Sequence, residues 1–375
     1  MDSDQKLLSH YTVPMKIAVD VREACAAKRT GKGQWSRFFV TELLRRGIPV
    51  TLFTDTSVPE EWQRLPHVSV VLLRQKGLRW HWSVARLLRR GDCSMYFSPT
   101  SFIVPFLLSG KGFPVVPVVH DLIAFQSEPH DRKARLIERC TLGRTIRGAS
   151  FVCTVSESTK RDLLQRFSSL SPDKVVPIFA GPVASDAIVS HPDGQTILSI
   201  GTLCPRKNQL RLIQAFAFLP PALRERSRLV LVGGRGWHDN DIVRLARETP
   251  GVEWKGYLAQ QEWETLFARA TIFAFPSLYE GFGMPILDAF YKGVPVLTSD
   301  RGSLREVAGG AACIVDPENV SSIAAGLTAL LSSSVVRDSL RAKGKEQALQ
   351  FSWSRSVDLF LEGLSTLPLR APAHT

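Results

Sequence analysis

The stretch TILSIGTLCPRKNQLRLIQAF (196–216) decides how this chain folds. Its first residues are almost all β-branched or apolar, as in a strand buried on both faces. Gly201 opens a turn, Pro205, Arg206 and Lys207 form a short polar loop, and apolar residues then recur at helical spacing in Leu210, Leu212, Ile213 and Phe216. A buried strand that turns directly into an amphipathic helix is half of a βαβ unit. Upstream, KIAVDV (16–21), PVTLF (49–53), VSVVLL (68–73), SMYF (94–97), VVPVVHD (115–121) and SFVCTVS (150–156) read as strands of the same kind. Downstream, RLVLVGG (228–234), VEWKG (252–256), TIFAFP (271–276), PVLTS (295–299) and ACIVD (312–316) continue the series. Helices fit between them, for example from Gln34 to Arg46 and from Thr159 to Phe167. Such alternation predicts an α/β architecture of two tandem, doubly wound, Rossmann-like domains. With two such sheets face to face, a central cleft is the expected ligand site.

The loop FAGPVASDAIVSHPDG (179–194) marks the boundary. We expect a tail at 1–14, a first domain at 15–182, a second at 183–350, and a last segment, 351–375, whose helix crosses back to the first domain before a Pro-rich tail. A length of 375 residues agrees with two domains at about 150 residues each. Hydrophobic content of 44% with 22% charged residues is ordinary for a globular protein. No stretch approaches the roughly 18 apolar residues of a membrane helix. MDSDQKLLSHYTVP (1–14) lacks the apolar core of a signal peptide, and the six cysteines (25, 93, 140, 153, 204, 313) show no metal-binding spacing. Both features lead us to expect a cytoplasmic protein without a metal.

Charge departs from the average. There are 47 Lys and Arg against 35 Asp and Glu, a net +12. Residues 1–185 hold 27 of those bases and 16 of the acids, so nearly all of the excess lies in the first domain. An anionic partner is expected there.

Two strand-to-helix turns carry the chemistry. In SLYEGFGMPILDAF (277–290), Gly281 and Gly283 permit a sharp turn and Pro285 suits the first helical position. That helix start offers free amides and a positive dipole end, with Glu280 before it and Asp288 about one turn inside. In GTLCPRKN (201–208), Arg206 and Lys207 stand at a strand's carboxyl end, where two cations can neutralise a diphosphate. Each turn alone is equally a capped helix start.

Together with LVLVGGRGW (230–237) and YEGFGMPILDAFYKGVPVLTSDRGSLREVAG (279–309), these motifs resemble the retaining glycosyltransferases of the two-Rossmann-domain, GT-B type, in the family (GT4) that includes bacterial mannosyltransferases and sucrose-phosphate synthases. The likeness covers nearly the whole chain and is looser in the first domain. It implies a nucleoside-diphosphate sugar as donor, no further cofactor and no metal. It also implies that Glu280 contacts donor-sugar hydroxyls, that Asp288 binds the ribose, and that amides from Phe282, Gly283 and Met284 through Pro285 to Ile286 hold sugar and phosphate. Arg206 and Lys207 would stabilise the leaving diphosphate, beside Gly201. The family's second acid is usually Glu, so Asp288 is one methylene short.

In the first domain, HDLIAF (120–125) places His120 at a strand end, where the family has a histidine that contacts sugar or acceptor. A lone histidine there is also commonly structural, and Asp121 reads as a cap. Ser156 in TVSES (154–158) either faces the acceptor or donor phosphate or caps the following helix. The loop KRTGKGQW (28–35) matches the family's glycine loop through Gly31 and Gly33, and Lys32 adds a charge suited to an anionic ligand. RQKGLRWHWSVARLLRRG (74–91) carries six bases, among them Arg79, Arg86, Arg89 and Arg90, no acid, and the pair Trp80 and Trp82. It reads either as a peripheral contact with an anionic membrane, on the inner face of the plasma membrane, or as a sheet-covering helix with solvated arginines.

The resulting expectation is transfer of a hexose, with GDP-mannose favoured, to a hydroxyl of a glycan or lipid-linked acceptor in polysaccharide or glycolipid synthesis. The rivals are a same-fold epimerase or phosphorylase, and a basic nucleic-acid-binding protein. The latter lacks any zinc-finger, helix-turn-helix or RNA-recognition motif, so no nucleic-acid partner is expected.

Overall fold

The computed structural model describes residues 15–126, 132–184 and 191–367. The expected tails at 1–14 and beyond residue 367 lie outside them. The chain forms two compact units, divided between Ala180 and Gly181 and again between Ser352 and Trp353.

The first unit is built on seven parallel strands: β1 (Ile17–Asp20), β2 (Val50–Thr54), β3 (Val68–Leu72), β4 (Met95–Ser98), β5 (Val115–Val119), β6 (Val152–Thr154) and β7 (Val175–Pro177). Their order is β3-β2-β1-β4-β5-β6-β7. Register follows the apolar runs, with Ile17 opposite Val50 on one side and Met95 on the other. The strand runs of the sequence recover the first six. They miss β7, a three-residue edge strand ending in Pro177 that has too few residues to show a pattern. Helix α1 (Gly31–Arg45) follows β1, and helix α2 (Leu78–Arg90) follows β3.

The second unit has six parallel strands: β8 (Thr196–Ile200), β9 (Arg228–Val232), β10 (Val252–Trp254), β11 (Ile272–Phe275), β12 (Val296–Thr298) and β13 (Ala312–Ile314). They are ordered β10-β9-β8-β11-β12-β13. Helix α3 (Met284–Tyr291) follows β11. In both sheets the chain winds outward one way, then returns to wind the other. The reversal falls between β1 and β4 in the first unit and between β8 and β11 in the second. Loops leaving two such neighbours diverge to opposite faces and open a crevice at the carboxyl edge, where ligands of open α/β sheets bind.

Helix α4 (Trp353–Ser365) belongs to the first unit although the chain reaches it from the second. Aromatic packing explains this, since Phe360 is fully buried with its ring 4.6 Å from Phe97, 5.6 Å from Phe39 and 6.1 Å from Phe151. Arg46 secures the same helix by an ion pair with Asp358 at 2.8 Å.

Candidate functional site

The two loops at the second unit's strand reversal are stapled to each other. After β8 the chain makes a single 3-10 turn, Pro205–Lys207, and Asn208 follows in the left-handed region at φ 61°. Asparagine tolerates that conformation better than most residues. Its side-chain amide donates to Pro276 O at 2.9 Å and to Pro317 O at 2.6 Å. Leu278 N donates to Arg206 O at 2.8 Å, which ties the loop after β11 to the loop after β8.

This staple brings the basic pair and the first acid together. Glu280 Oε2 lies 2.8 Å from a terminal nitrogen of Arg206, and Oε1 lies 2.6 Å from Lys207 Nζ. Arg206 also donates to Tyr279 O at 2.7 Å, and the Lys207 ammonium sits 4.6 Å from the centre of the Phe275 ring. Side-chain exposures of 17% for Arg206, 13% for Lys207 and 8% for Glu280 leave little water to screen these charges. Burial would raise the Glu280 carboxyl, but the charges of Arg206 and Lys207 outweigh it and hold it below its ordinary range. Burial draws the Lys207 ammonium below its ordinary value, against the pull of Glu280 and with the help of Arg206. Two cations thus meet at one carboxylate, and two poorly solvated cations side by side suit a polyanion such as a diphosphate.

The turn into α3 depends on glycine at two positions. Gly283 caps the helix at φ 103°, a conformation side chains rarely adopt. Gly302, at φ 58°, lets its backbone approach so closely that a Cβ there would come 2.4 Å from Glu280 O. Beside it, the Ser303 hydroxyl donates to Glu280 O at 3.0 Å and to Phe282 O at 2.7 Å. Gly302, Ser303 and Asn208 are functional neighbours that the sequence reading did not single out. All three lie within the quoted motifs, so the signal was present but their partners, Glu280 O, Phe282 O, Pro276 O and Pro317 O, are distant in sequence.

Helix α3 narrows the expected run of amides. Pro285 has no N–H, and Ile286 N is taken by Gly283 O at 2.9 Å. Phe282, Gly283 and Met284 therefore remain as the amides at the helix start. Asp288 has partners within the chain. Its Oδ1 accepts from Val183 N at 2.6 Å and from Ala184 N at 3.0 Å, so it grips the segment that leads into the second unit. Gln260 holds the same segment by donating to Val183 O at 3.1 Å. Burial pushes the Asp288 carboxyl up to about 7, against the two amides that lower it. Through Oδ1 this buried carboxyl tethers residues 183–184.

In the first unit, His120 follows β5 and is buried. One ring nitrogen, Nε2, lies 2.7 Å from Pro99 O, the carbonyl of the residue just beyond β4. A carbonyl only accepts, so Nε2 carries the proton and Nδ1 keeps its lone pair. Burial, with the nearby Lys32 charge, pushes the imidazole down to about 4, which keeps it neutral at physiological pH. Asp121 pairs with Lys32 at 3.5 Å and accepts from Ile123 N at 3.2 Å, as a cap. Of the two readings of Ser156 the structure shows the helix cap, since its hydroxyl is buried and accepts from Thr159 N at 2.9 Å. Gly31 and Gly33 fall in the first turn of α1, where Thr30 Oγ1 accepts from Gly33 N at 3.3 Å. Trp80 is likewise corrected, because it is fully buried, whereas Trp82 is 56% exposed.

Residues 36–181 match the family described as Glycosyltransferase Family 4, and residues 184–347 match the family described as Glycosyl transferases group 1. The chain belongs to the family 4 glycosyltransferases. Arg206, Lys207, Glu280 and Asp288 of this glycosyltransferase fall within the second match, and His120 and α2 within the first. Over 258 residues, 64% of the glycosyltransferase, it is 34% identical to the O-antigen chain mannosyltransferase B of Escherichia coli, of which the match covers 66%. It is 27% identical over 293 residues to the serotype-specific mannosyltransferase WbdA of the same species, and spans about a third, 35%, of that protein's length. Two solved structures share the fold. They are sucrose-phosphate synthase from Thermosynechococcus elongatus, with a TM-score of 0.76 at 18% identity over 94% of this chain and 98% of that one, and HepE of Anabaena, in complex with UDP and glucose. HepE has a TM-score of 0.74 at 19% identity, covering 94% of this chain and all of its own.

Proposed function

We propose that this glycosyltransferase moves mannose from GDP-mannose to a hydroxyl of a growing glycan or lipid-linked acceptor, with retention of the anomeric configuration. The observation that carries this reading is the Arg206–Glu280–Lys207 cluster, two largely buried cations held side by side on one carboxylate where the loops after β8 and β11 meet. A nucleoside diphosphate is an anion that such a cluster stabilises, and it gains negative charge as the glycosidic bond breaks. The two mannosyltransferase relatives support the sugar, and the O-antigen chain mannosyltransferase B supports the class of acceptor.

In this reaction the bond between the anomeric carbon and the β-phosphate oxygen breaks, and its electron pair stays on the phosphate. The acceptor oxygen attacks the same face of the sugar, and its proton passes to the departing phosphate oxygen. Arg206 and Lys207 stabilise that oxygen. Glu280 orients both cations through one lone pair on each carboxylate oxygen and keeps the others for sugar hydroxyls. The amides of Phe282, Gly283 and Met284 hold the sugar and distal phosphate. In the first unit, neutral His120 offers Nδ1 as a hydrogen-bond acceptor to a sugar or acceptor hydroxyl.

Thermal unfolding with GDP, UDP and dTDP tests the donor. GDP is expected to raise the midpoint most, and GDP-mannose turnover should give a product whose anomeric coupling matches the donor. A shift with UDP alone transfers the reading to UDP-sugars, such as the UDP-glucose found in complex with HepE. No shift with any nucleotide sinks the donor assignment.

A further inference from the structure

Helix α1 carries a tryptophan that touches three separate parts of the first unit. Trp35 is fully buried, with its ring stacked on Phe39 at 4.7 Å. On one side it meets the His120 imidazole, the ring centres 5.2 Å apart and the planes at 88°. The His120 ring is thus held by Pro99 O at Nε2 and by the indole packed against it. On another side the Trp35 indole nitrogen donates to Phe179 O at 2.7 Å. The third neighbour is Trp353, whose ring lies 6.0 Å away and also stacks on Phe38 of α1 at 5.7 Å.

Two of these neighbours stand where the chain leaves and re-enters the unit. Phe179 is one residue short of the exit after Ala180, and Trp353 is the residue on which the chain returns. Phe179 lies in the left-handed region at φ 47°. Among the described residues only Asn208 and His238 share that region without being glycine. A bulky aromatic residue rarely adopts it, and keeps it only where the surroundings fix the backbone. Here Ile178 N donates to Thr154 O, at the end of β6, at 2.8 Å, and Trp35 takes Phe179 O. Packing alone does not account for the second bond. Trp62 is as buried as Trp35, yet its indole nitrogen has no hydrogen-bond partner among the described residues.

We propose that Trp35 is a positioning residue that couples the His120 ring to the Phe179 peptide. Its indole sets the plane of the imidazole and, through the N–H, holds Phe179 left-handed, so a shift of either neighbour moves the same rigid ring. The element with two states is the Phe179 backbone, which relaxes to the common regions once that N–H is withdrawn. By linkage, a hydroxyl bound at His120 Nδ1 biases the exit of the chain as strongly as the exit biases that binding. The coupling itself concerns the first unit alone. Its consequence for turnover rests on the donor reading given above, whereas its consequence for backbone exchange does not.

Hydrogen exchange of the full chain, read by mass spectrometry, and turnover of GDP-mannose test it. Trp35→Phe keeps an aromatic ring and removes the N–H. It is expected to speed exchange of the amides from 178 to 181 about tenfold or more. It should also lower kcat about tenfold while KM for GDP-mannose stays within about twofold. Adding Phe179→Gly, which enters the left-handed region without cost, should restore most of the lost kcat. A loss caused only by a poorly filled core would not respond to it. From the other end, His120→Ala should speed exchange at 178–181 several-fold and leave that of β2 as in wild type. Thermal unfolding shows which variants are folded, and His120→Ala carries the exchange test by itself where Trp35→Phe is not. Unchanged exchange at 178–181 in either folded variant overturns the proposal, and so does a kcat loss that Phe179→Gly leaves in place. A wild-type chain that does not turn over GDP-mannose refutes the donor reading, and the exchange results then decide the coupling alone.

Discussion

The cluster at the start of α3 and the outer face of α2 are both made of arginine and lysine, yet they use charge in opposite ways. Arg206 and Lys207 are largely buried and share one carboxylate, so a single compact anion can engage both at once. The α2 arginines are exposed and, at Arg79, Arg86 and Arg90, have no acid partner among the described residues, so each contributes little alone. Net charge does not tell these regions apart. The first half of the chain carries most of the positive excess, while the nearly neutral second half holds the cations assigned to the chemistry.

The sharpest way to break that contrast is Lys207→Ala. Loss of one preorganised cation from a poorly solvated site is expected to lower kcat by a hundred- to a thousandfold, read in GDP-mannose turnover. A loss below tenfold would show that its burial has no catalytic consequence. Asp288→Asn probes the other buried charge of the second unit. A carboxyl held near 7 in the fold and near 3.8 when unfolded contributes stability that is complete below about pH 4 and is lost as pH rises to about 7. Asparagine keeps the acceptor for Val183 and Ala184 without that penalty. Its stability relative to wild type should therefore grow by roughly 4 kcal/mol across that window, as an upward-diverging unfolding midpoint. A difference that does not vary with pH would mean that Asp288 is ionised at no cost.

His120→Ala should reduce turnover about tenfold, the worth of one neutral hydrogen bond. The wild-type rate should show no limb near the ordinary histidine value, since this ring is held neutral down to about 4. The smallest effect belongs to the exposed face. Arg79→Ala should change folding stability by less than about 0.5 kcal/mol and leave the nucleotide-induced shift untouched.

Much of this was legible in sequence for a simple reason. Strands buried on both faces, such as TILSI and IFAF, need no partner to be recognised, because their composition already states their environment. β7 escaped because three residues cannot display a pattern. The basic pair and Glu280 were found as separate turns. Their meeting within 2.8 Å depends on the adjacency of β8 and β11, which are more than 70 residues apart in the chain. Ser156 was readable as a cap from its position before a helix, and the structure selects that reading.

Trp80 and Trp82 mark the limit most clearly. Helical spacing groups Trp80 with Val84 and Leu88, which foretells a buried face, yet it does not say that Arg22 will stack on that ring. The sequence by itself determined two doubly wound sheets, the helix starts, and the placing of charge along the chain, because these follow from periodicity and composition within short windows. Only the tertiary structure decided which cations share a carboxylate, that Asp288 tethers residues 183–184, and which tryptophan meets solvent. Those outcomes depend on which strand ends become neighbours, and no local pattern encodes that adjacency.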